Sequence, residues 1–209
     1  MPIPCSECGA RDAVDIPLDE DSPTWVCGNG HSNHGVFSLD FTVGRRILVK
    51  SHYELTARED FSMSIVLSAT AFECEIASLF AKWNRVESSL AGKTLTDEEI
   101  EDQYRKLYKI VDKIEGTATF LNPMGIDGYV SDSSEFQETV TNGFPSLTIG
   151  SLAKNFEEFV FWPRNRILHF GQSKYAKADA DRCYTIASLG LDIFSKLDKC
   201  KYNSVFPPT

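Results

Sequence analysis

The sequence predicts a mainly α-helical protein, a helical bundle with a small N-terminal β module. Three observations predict it. Apolar residues recur at alternating spacings of three and four along four segments that follow Arg45. Three cysteines and a histidine fall in glycine-flanked pairs within the opening segment. The composition, 42% hydrophobic and 24% charged over 209 residues, is that of a folded globular chain and too apolar for a disordered one. The expected division is residues 1–44 for the β module and 45–209 for the bundle.

In the N-terminal module, Cys5-Ser6-Glu7-Cys8-Gly9 is a C-x-x-C-G knuckle, answered later by Cys27-Gly28-Asn29-Gly30-His31. Two thiolates on one tight turn can hold one metal, and a second turn with Cys27 and His31 completes a Cys3His set suited to zinc. His34 competes for the fourth position; His31 is favoured because Gly-Asn-Gly between it and Cys27 can form the required turn. Ile16, Trp25, Val26, Val36 and Phe37 are too few apolar residues to hold this module together, so the expected zinc is structural. Strand-like segments around Thr24–Cys27 and Gly35–Val43 suit a short zinc ribbon.

The first helical stripe is Ile65, Ala69, Phe72, Ile76, Leu79 and Trp83, expected on a helix of about five or six turns. The second runs Ile100, Tyr104, Leu107, Val111, Ile114, Ala118 and Leu121 as one helix, started by the capping box Thr96-Asp97-Glu98-Glu99. The third carries Leu152, Phe156, Phe159, Val160 and Ile167, and the fourth Cys183, Ile186, Ala187, Gly190, Ile193, Phe194 and Leu197. Four one-sided helices are sufficient for a bundle. Between the second and third lies Asn122–Gly150, rich in Gly, Ser, Thr, Asp and Asn. It is read as a long connection holding a short helix near Ser134–Thr141, placed to drape over a site. No glycine-rich phosphate loop is present.

The net charge is −9 and the pI about 4.9, which disfavours a protein that coats long duplex nucleic acid. From Pro163 onward, however, eight Lys/Arg face four Asp/Glu, a local basic region suited to an anionic ligand. No apolar run reaches membrane-spanning length and no secretory signal is read, so no membrane partner is expected and the expected compartment is the reducing cytoplasm. Cys74, Cys183 and Cys200 are then expected as buried or half-buried small apolar residues rather than disulfides.

The sharpest chemical feature is Phe161-Trp162-Pro163-Arg164-Asn165-Arg166-Ile167-Leu168-His169-Phe170-Gly171. Asn165 and His169, four apart, share a helix face, while Arg164 sits about 140° round from His169. Pro163 is expected to kink the chain before Arg164, and Gly171 to end the helix. Histidine suits proton movement at neutral pH, and the arginine fork suits two phosphate oxygens. Arg166 is read as binding phosphate or pairing with an acid, and Glu73 as a candidate partner that orders Arg164 or Arg166.

Arg164-Asn165-x-x-x-His169, at the start of a late bundle helix and followed by one more amphipathic helix, resembles the Arg-(Asn/Asp)-x-x-x-His signature of HEPN domains. Ala69-Thr70-Ala71-Phe72-Glu73 is similar to the early HEPN helix. The resemblance spans roughly Tyr53 to Tyr202. It implies a helical bundle and, with Arg, Asn and His all present, a metal-independent endoribonuclease whose catalytic residues are Arg164, Asn165 and His169, assisted by Arg166. One HEPN subgroup, paired with nucleotidyltransferase antitoxins, carries Tyr two residues after the His; Gly171 stands there instead. The resemblance further implies a two-fold homodimer, which supplies the two histidines that an in-line displacement needs, RNA as substrate, and a toxin or antiviral setting with a restraining inhibitor or antitoxin. A non-catalytic dimeric scaffold that binds protein or nucleic acid is the competing expectation, and a zinc-dependent hydrolase, disfavoured by the closed Cys3His spacing, the third.

Overall fold

The computed structural model describes residues 3–4, 8, 11–12, 24–34, 42–172 and 174–207. Within them the protein is mainly helical. Two short antiparallel pairs come first, β1 (Ile3–Pro4) with β2 (Arg11–Asp12) and β3 (Thr24–Val26) with β4 (Ser32–His34). Helices follow as α1 (Val43–Tyr53), α2 (Phe61–Leu90), α3 (Asp97–Arg105), α4 (Ile110–Leu121), α5 (Gly125–Asp132), α6 (Ser134–Glu138), α7 (Leu152–Phe156), α8 (Trp162–Phe170) and α9 (Lys177–Val205). A wide π-type turn, Glu157–Phe161, joins α7 to α8 without a break.

α2 is the central post. All six residues of its predicted stripe are buried, and so are all seven on α9. At 30 residues α2 is longer than expected, spanning about 45 Å. The two helices meet closely at Gly190, where an added Cβ would lie 2.8 Å from the Phe72 ring. Phe72 in turn touches the rings of Phe156, Phe161 and Phe194, with centroids 5.0–5.9 Å away. Further along, the buried Trp83 donates its indole N–H to Asp198 at 2.6 Å, and Lys82 pairs with the same carboxylate at 2.7 Å. α2 is long and apolar enough to cross a membrane, with a window of mean hydropathy 1.4, but 56% of that window is buried by the surrounding chain, as in a core helix.

Three expectations are corrected. The strand expected through Val43 is a helix there: Thr42 caps α1 by accepting the Arg45 N–H at 3.3 Å, while residues 35–41 lie outside the described ones. α1 packs along α2 through small residues, with Ser51 bonded to the Ser64 and Ser68 hydroxyls at 3.0 and 2.7 Å. The stripe from Ile100 to Leu121 is two helices, not one. Leu107 folds back to within 3.1 Å of where a Cβ on Gly116 would stand, though residues nine apart on one straight helix are separated by about 13.5 Å. The Asp112 carboxylate accepts the Lys109 N–H and starts α4 afresh.

The third correction concerns Asn122–Gly150, read as a long connection, which is part of the core. The short helix read near Ser134–Thr141 is present as α6 and its continuation, and α5 precedes it. Together the segment sinks Ile126, Val130, Phe136, Val140 and Leu147 into the core. Of the scattered cysteines, Cys183 is buried and Cys74 half-buried as expected, but Cys200 is exposed.

Candidate functional site

The Arg-Asn-His motif lies on α8, and Pro163 explains how that helix is built. A proline inside a helix removes one N–H and crowds the preceding turn. The chain absorbs this where the kink was expected: the π-type turn widens just upstream, with the Trp162 N–H reaching back to the Glu157 carbonyl, and Pro163 falls in the first turn of α8. Gly171, at φ +64, closes the helix as expected; its N–H bonds the Ile167 carbonyl and that of Gln172 the Arg166 carbonyl. Tyr175 then reaches back and donates its hydroxyl to the Pro163 carbonyl at 3.2 Å.

Arg164 is turned toward α2. Its Nη2 donates to Glu73 Oε2 at 3.3 Å and its Nη1 to Asn165 Oδ1 at 2.9 Å. Its side chain is 26% exposed and that of Glu73 31%, so the pair is half-buried but reachable from solvent. The Arg164 Nε is buried and makes no hydrogen bond among the described residues. Glu73 also faces Lys113 from α4, at 3.8 Å, and the Lys113 ammonium sits 4.9 Å from the centre of the Tyr104 ring. Burial first, and then the Glu73 charge, pushes the Tyr104 hydroxyl well above its ordinary value, so it stays a neutral phenol. The same causes raise the Cys74 thiol, and burial pushes Cys183 up to about 12, so neither offers a thiolate nucleophile.

His169 and Arg166 are exposed. Asn165, bonded to Arg164, is half-buried and shares its helix face with the solvent-facing His169 one turn on. Of the three motif residues, then, Arg164 and Asn165 are joined by a hydrogen bond, while among the described residues the His169 side chain makes no hydrogen bond or ion pair. Glu73 was legible as a candidate acid on the sequence and is the partner of Arg164, not of Arg166. Lys113 and Tyr104 were read only as part of a helix stripe or not at all; no local pattern links them to a motif so distant in the chain. A groove of about 430 Å³ between α2 and α3 is lined by Phe80, Ile100 and Tyr104, with Arg85 paired to Asp97 on its rim; no α8 residue lines it.

The second cluster sits in the N-terminal module. β3 and β4 pair in the register Thr24 with His34 and Val26 with Ser32. The turn between them is fixed by the Cys27 N–H to the His31 carbonyl at 3.0 Å and the Gly30 N–H to the Cys27 carbonyl at 2.7 Å. This places Cys27 Sγ 3.5 Å from His31 Nδ1 and 3.8 Å from Cys8 Sγ. The three ligand atoms lie within 4.8 Å of one another, a group that could hold a metal ion. Asn29 donates its amide to Cys8 Sγ at 3.4 Å, the kind of outer contact that orients a thiolate ligand. The expected ligand Cys5, and the side chain of the competing His34, lie outside the described residues.

Comparison with known proteins assigns no family: no family model matches the chain, and no curated protein or solved structure matches it significantly.

Proposed function

We propose that this chain is a metal-independent endoribonuclease of HEPN type, with a structural zinc in an N-terminal ribbon held by Cys5, Cys8, Cys27 and His31. The observation that carries the reading is the placement on α8 of a guanidinium tethered by Glu73 and Asn165, with an exposed imidazole one turn on from that asparagine. A guanidinium has five N–H donors, and Arg164 uses two of them here, leaving donors for a phosphate. RNA carries its own nucleophile. The 2′-hydroxyl attacks the adjacent phosphate, the 5′-oxygen leaves with a proton, and a 2′,3′-cyclic phosphate results. His169 moves a proton, and Arg164 meets the charge that builds on the phosphorane oxygens. Asn165 holds the guanidinium, and Arg166 binds a neighbouring phosphate. Proton removal and proton donation lie on opposite sides of the displacement, so one His169 does not suffice, and two copies facing across a two-fold axis supply a pair.

The zinc would cross-link the two knuckles and supply folding free energy to a module with little core; no reaction step passes through it. RNA is the substrate in this reading, a second copy the obligatory partner, and an inhibitor or antitoxin the expected restraint in a toxin or antiviral setting.

The test is incubation of the purified protein with total RNA in excess EDTA, with the fold checked by circular dichroism and the mass by light scattering. Cyclic-phosphate ends and a mass of two chains are expected. Intact RNA under every metal and pH condition leaves the non-catalytic dimeric scaffold. The observation that favours that second reading is Arg164 itself, drawn toward Glu73 as a purely structural arginine would be.

A further inference from the structure

α8 buries none of its residues completely, and its outward side is more than the motif. Trp162 is 56% exposed and Phe170 82% exposed, which is unusual for two large aromatics on one short helix. They are not scattered. Trp162, Arg166 and Phe170 are spaced four apart and so form one row along the helix, about 6 Å from member to member. The Arg166 guanidinium lies 5.4 Å from the centre of the Trp162 ring. The parallel row beside it is Asn165 and His169. α8 carries no carboxylate, in a chain whose net charge is −9.

Two occupants suit exposed aromatics, a nucleic acid and a second protein surface. Protein interfaces also gather Trp, Phe and Arg, so what favours the nucleic acid is charge: this row alternates aromatic, guanidinium, aromatic, adjoins a histidine and, along α8, meets no carboxylate. That alternation fits unpaired nucleobases. Every base has a π face that stacks on an aromatic ring or a guanidinium plane, and the phosphates between bases need cations. A duplex hides its base faces and could use only the charges.

We propose that Trp162, Arg166 and Phe170 form a stacking platform that receives unpaired bases of single-stranded RNA on the outward side of α8, beside His169. The proposal rests on the ribonuclease reading and adds to it the form of the substrate and the residues that select it. Trp162 and Phe170 hold bases, so they set how tightly a strand is held and which phosphate is presented. Arg166 stiffens the Trp162 ring and offers its own plane.

The test separates binding from cleavage. A short fluorescent single-stranded RNA with 2′-O-methyl groups cannot undergo transphosphorylation, so its anisotropy reports binding alone; the same strand annealed to its complement is the duplex probe. The full chain is expected to bind the single strand more tightly than the duplex. Trp162→Ala should weaken single-strand binding by about 5- to 150-fold, the range for loss of one base–aromatic stack, while Trp162→Phe retains most of it and duplex binding is unchanged. Equal single-strand binding by wild type and Trp162→Ala overturns the platform, and so does a wild type that prefers duplex. A fall from two chains to one in light scattering on Trp162→Ala also overturns it, since a second copy then covers the row. The parent reading fails differently: a wild type that binds the methylated strand through Trp162 but leaves the unmodified strand uncut keeps the platform and loses the ribonuclease.

Discussion

α8 and α9 are neighbours in sequence and opposites in construction. α9 presents an unbroken apolar face, buried from Ala180 to Leu197, and locks to α2 through Gly190 against Phe72 and through Asp198 against Lys82 and Trp83. α8 has no fully buried residue, leaves Trp162, Leu168 and Phe170 open, and is moored by the half-buried Ile167 and by polar contacts, Arg164 to Glu73 and Tyr175 to the Pro163 carbonyl. A helix stabilised by burial has little surface left for a ligand. A helix moored at its edge by a few polar bonds keeps its surface, at the cost of contributing little to the core. The contrast predicts that changes on α8 alter activity without stability, and that changes on α9 do the reverse.

The largest effect expected is on α8. His169→Ala should lower RNA cleavage by about 10²–10⁴-fold, the usual cost of losing a general acid–base group. The thermal midpoint should not move, since His169 is exposed. Arg164→Ala should cost a comparable factor in cleavage, because the charge facing the phosphorane is gone. It also leaves Glu73 facing Lys113 alone. A His169→Ala chain that cleaves as fast as wild type places the chemistry elsewhere.

The mirror experiment is Gly190→Ala on α9. The new methyl meets a Phe72 ring that three other rings hold in place, so the helices must separate slightly. Overpacking of this kind costs about 1–3 kcal/mol. Urea titration should show the loss, and cleavage per folded molecule should stay near wild type. Unchanged stability would mean that the α2–α9 contact is looser than this geometry.

Cys8→Ser asks whether the N-terminal cluster stands apart from both helices. Elemental analysis should find one zinc per wild-type chain and clearly less in the variant, with the bundle's helical circular dichroism retained. Undiminished zinc would remove Cys8 from the ligand set.

The same contrast explains what was legible in the sequence. α2 and α9 show clean stripes because each buries one apolar face. α1 does not, because half of its buried positions are Gly44 and Ser51, small residues chosen by close contact with α2 and not by hydropathy. The break between α3 and α4 is silent because Tyr104, Leu107 and Val111 stay in phase with one stripe even though the chain reverses between them. On α8 the motif was legible as residue types at a helical spacing. The mooring of Arg164 by Glu73, and the crowding of Lys113 and Tyr104 behind it, depend on helices far apart in sequence. Trp162 and Phe170 were hidden for another reason: an aromatic in a helical segment reads as core until its exposure is known.

Glu75, two positions on from Glu73 along α2, supplies the smallest effect and a control on the comparison. It is buried at 3% exposure where α1 begins, and it accepts a hydrogen bond from the Thr42 hydroxyl. Burial raises its pKa above the ordinary 4.5, with Asp198 adding to the rise, while the Thr42 hydrogen bond, Arg45 and Lys82 oppose it. The folded chain therefore holds this proton to a higher pH than the unfolded chain does. Between 4.5 and the raised folded value the native state binds more protons, so the contribution of Glu75 to stability falls as pH rises through that window. Glu75→Gln removes the ionisation and keeps an oxygen to accept from Thr42. The variant should melt above wild type at neutral pH, and the difference should vanish below 4.5, where Glu75 is neutral in both states. Cleavage per folded molecule should not change, because Glu75 belongs to the α1–α2 contact while Glu73 holds Arg164. A variant less stable than wild type at neutral pH would show that the Arg45 and Lys82 charges outweigh the cost of burial. Altered cleavage would mean that the two carboxylates on α2 are coupled, and that α8 is less independent of the core than its mooring implies.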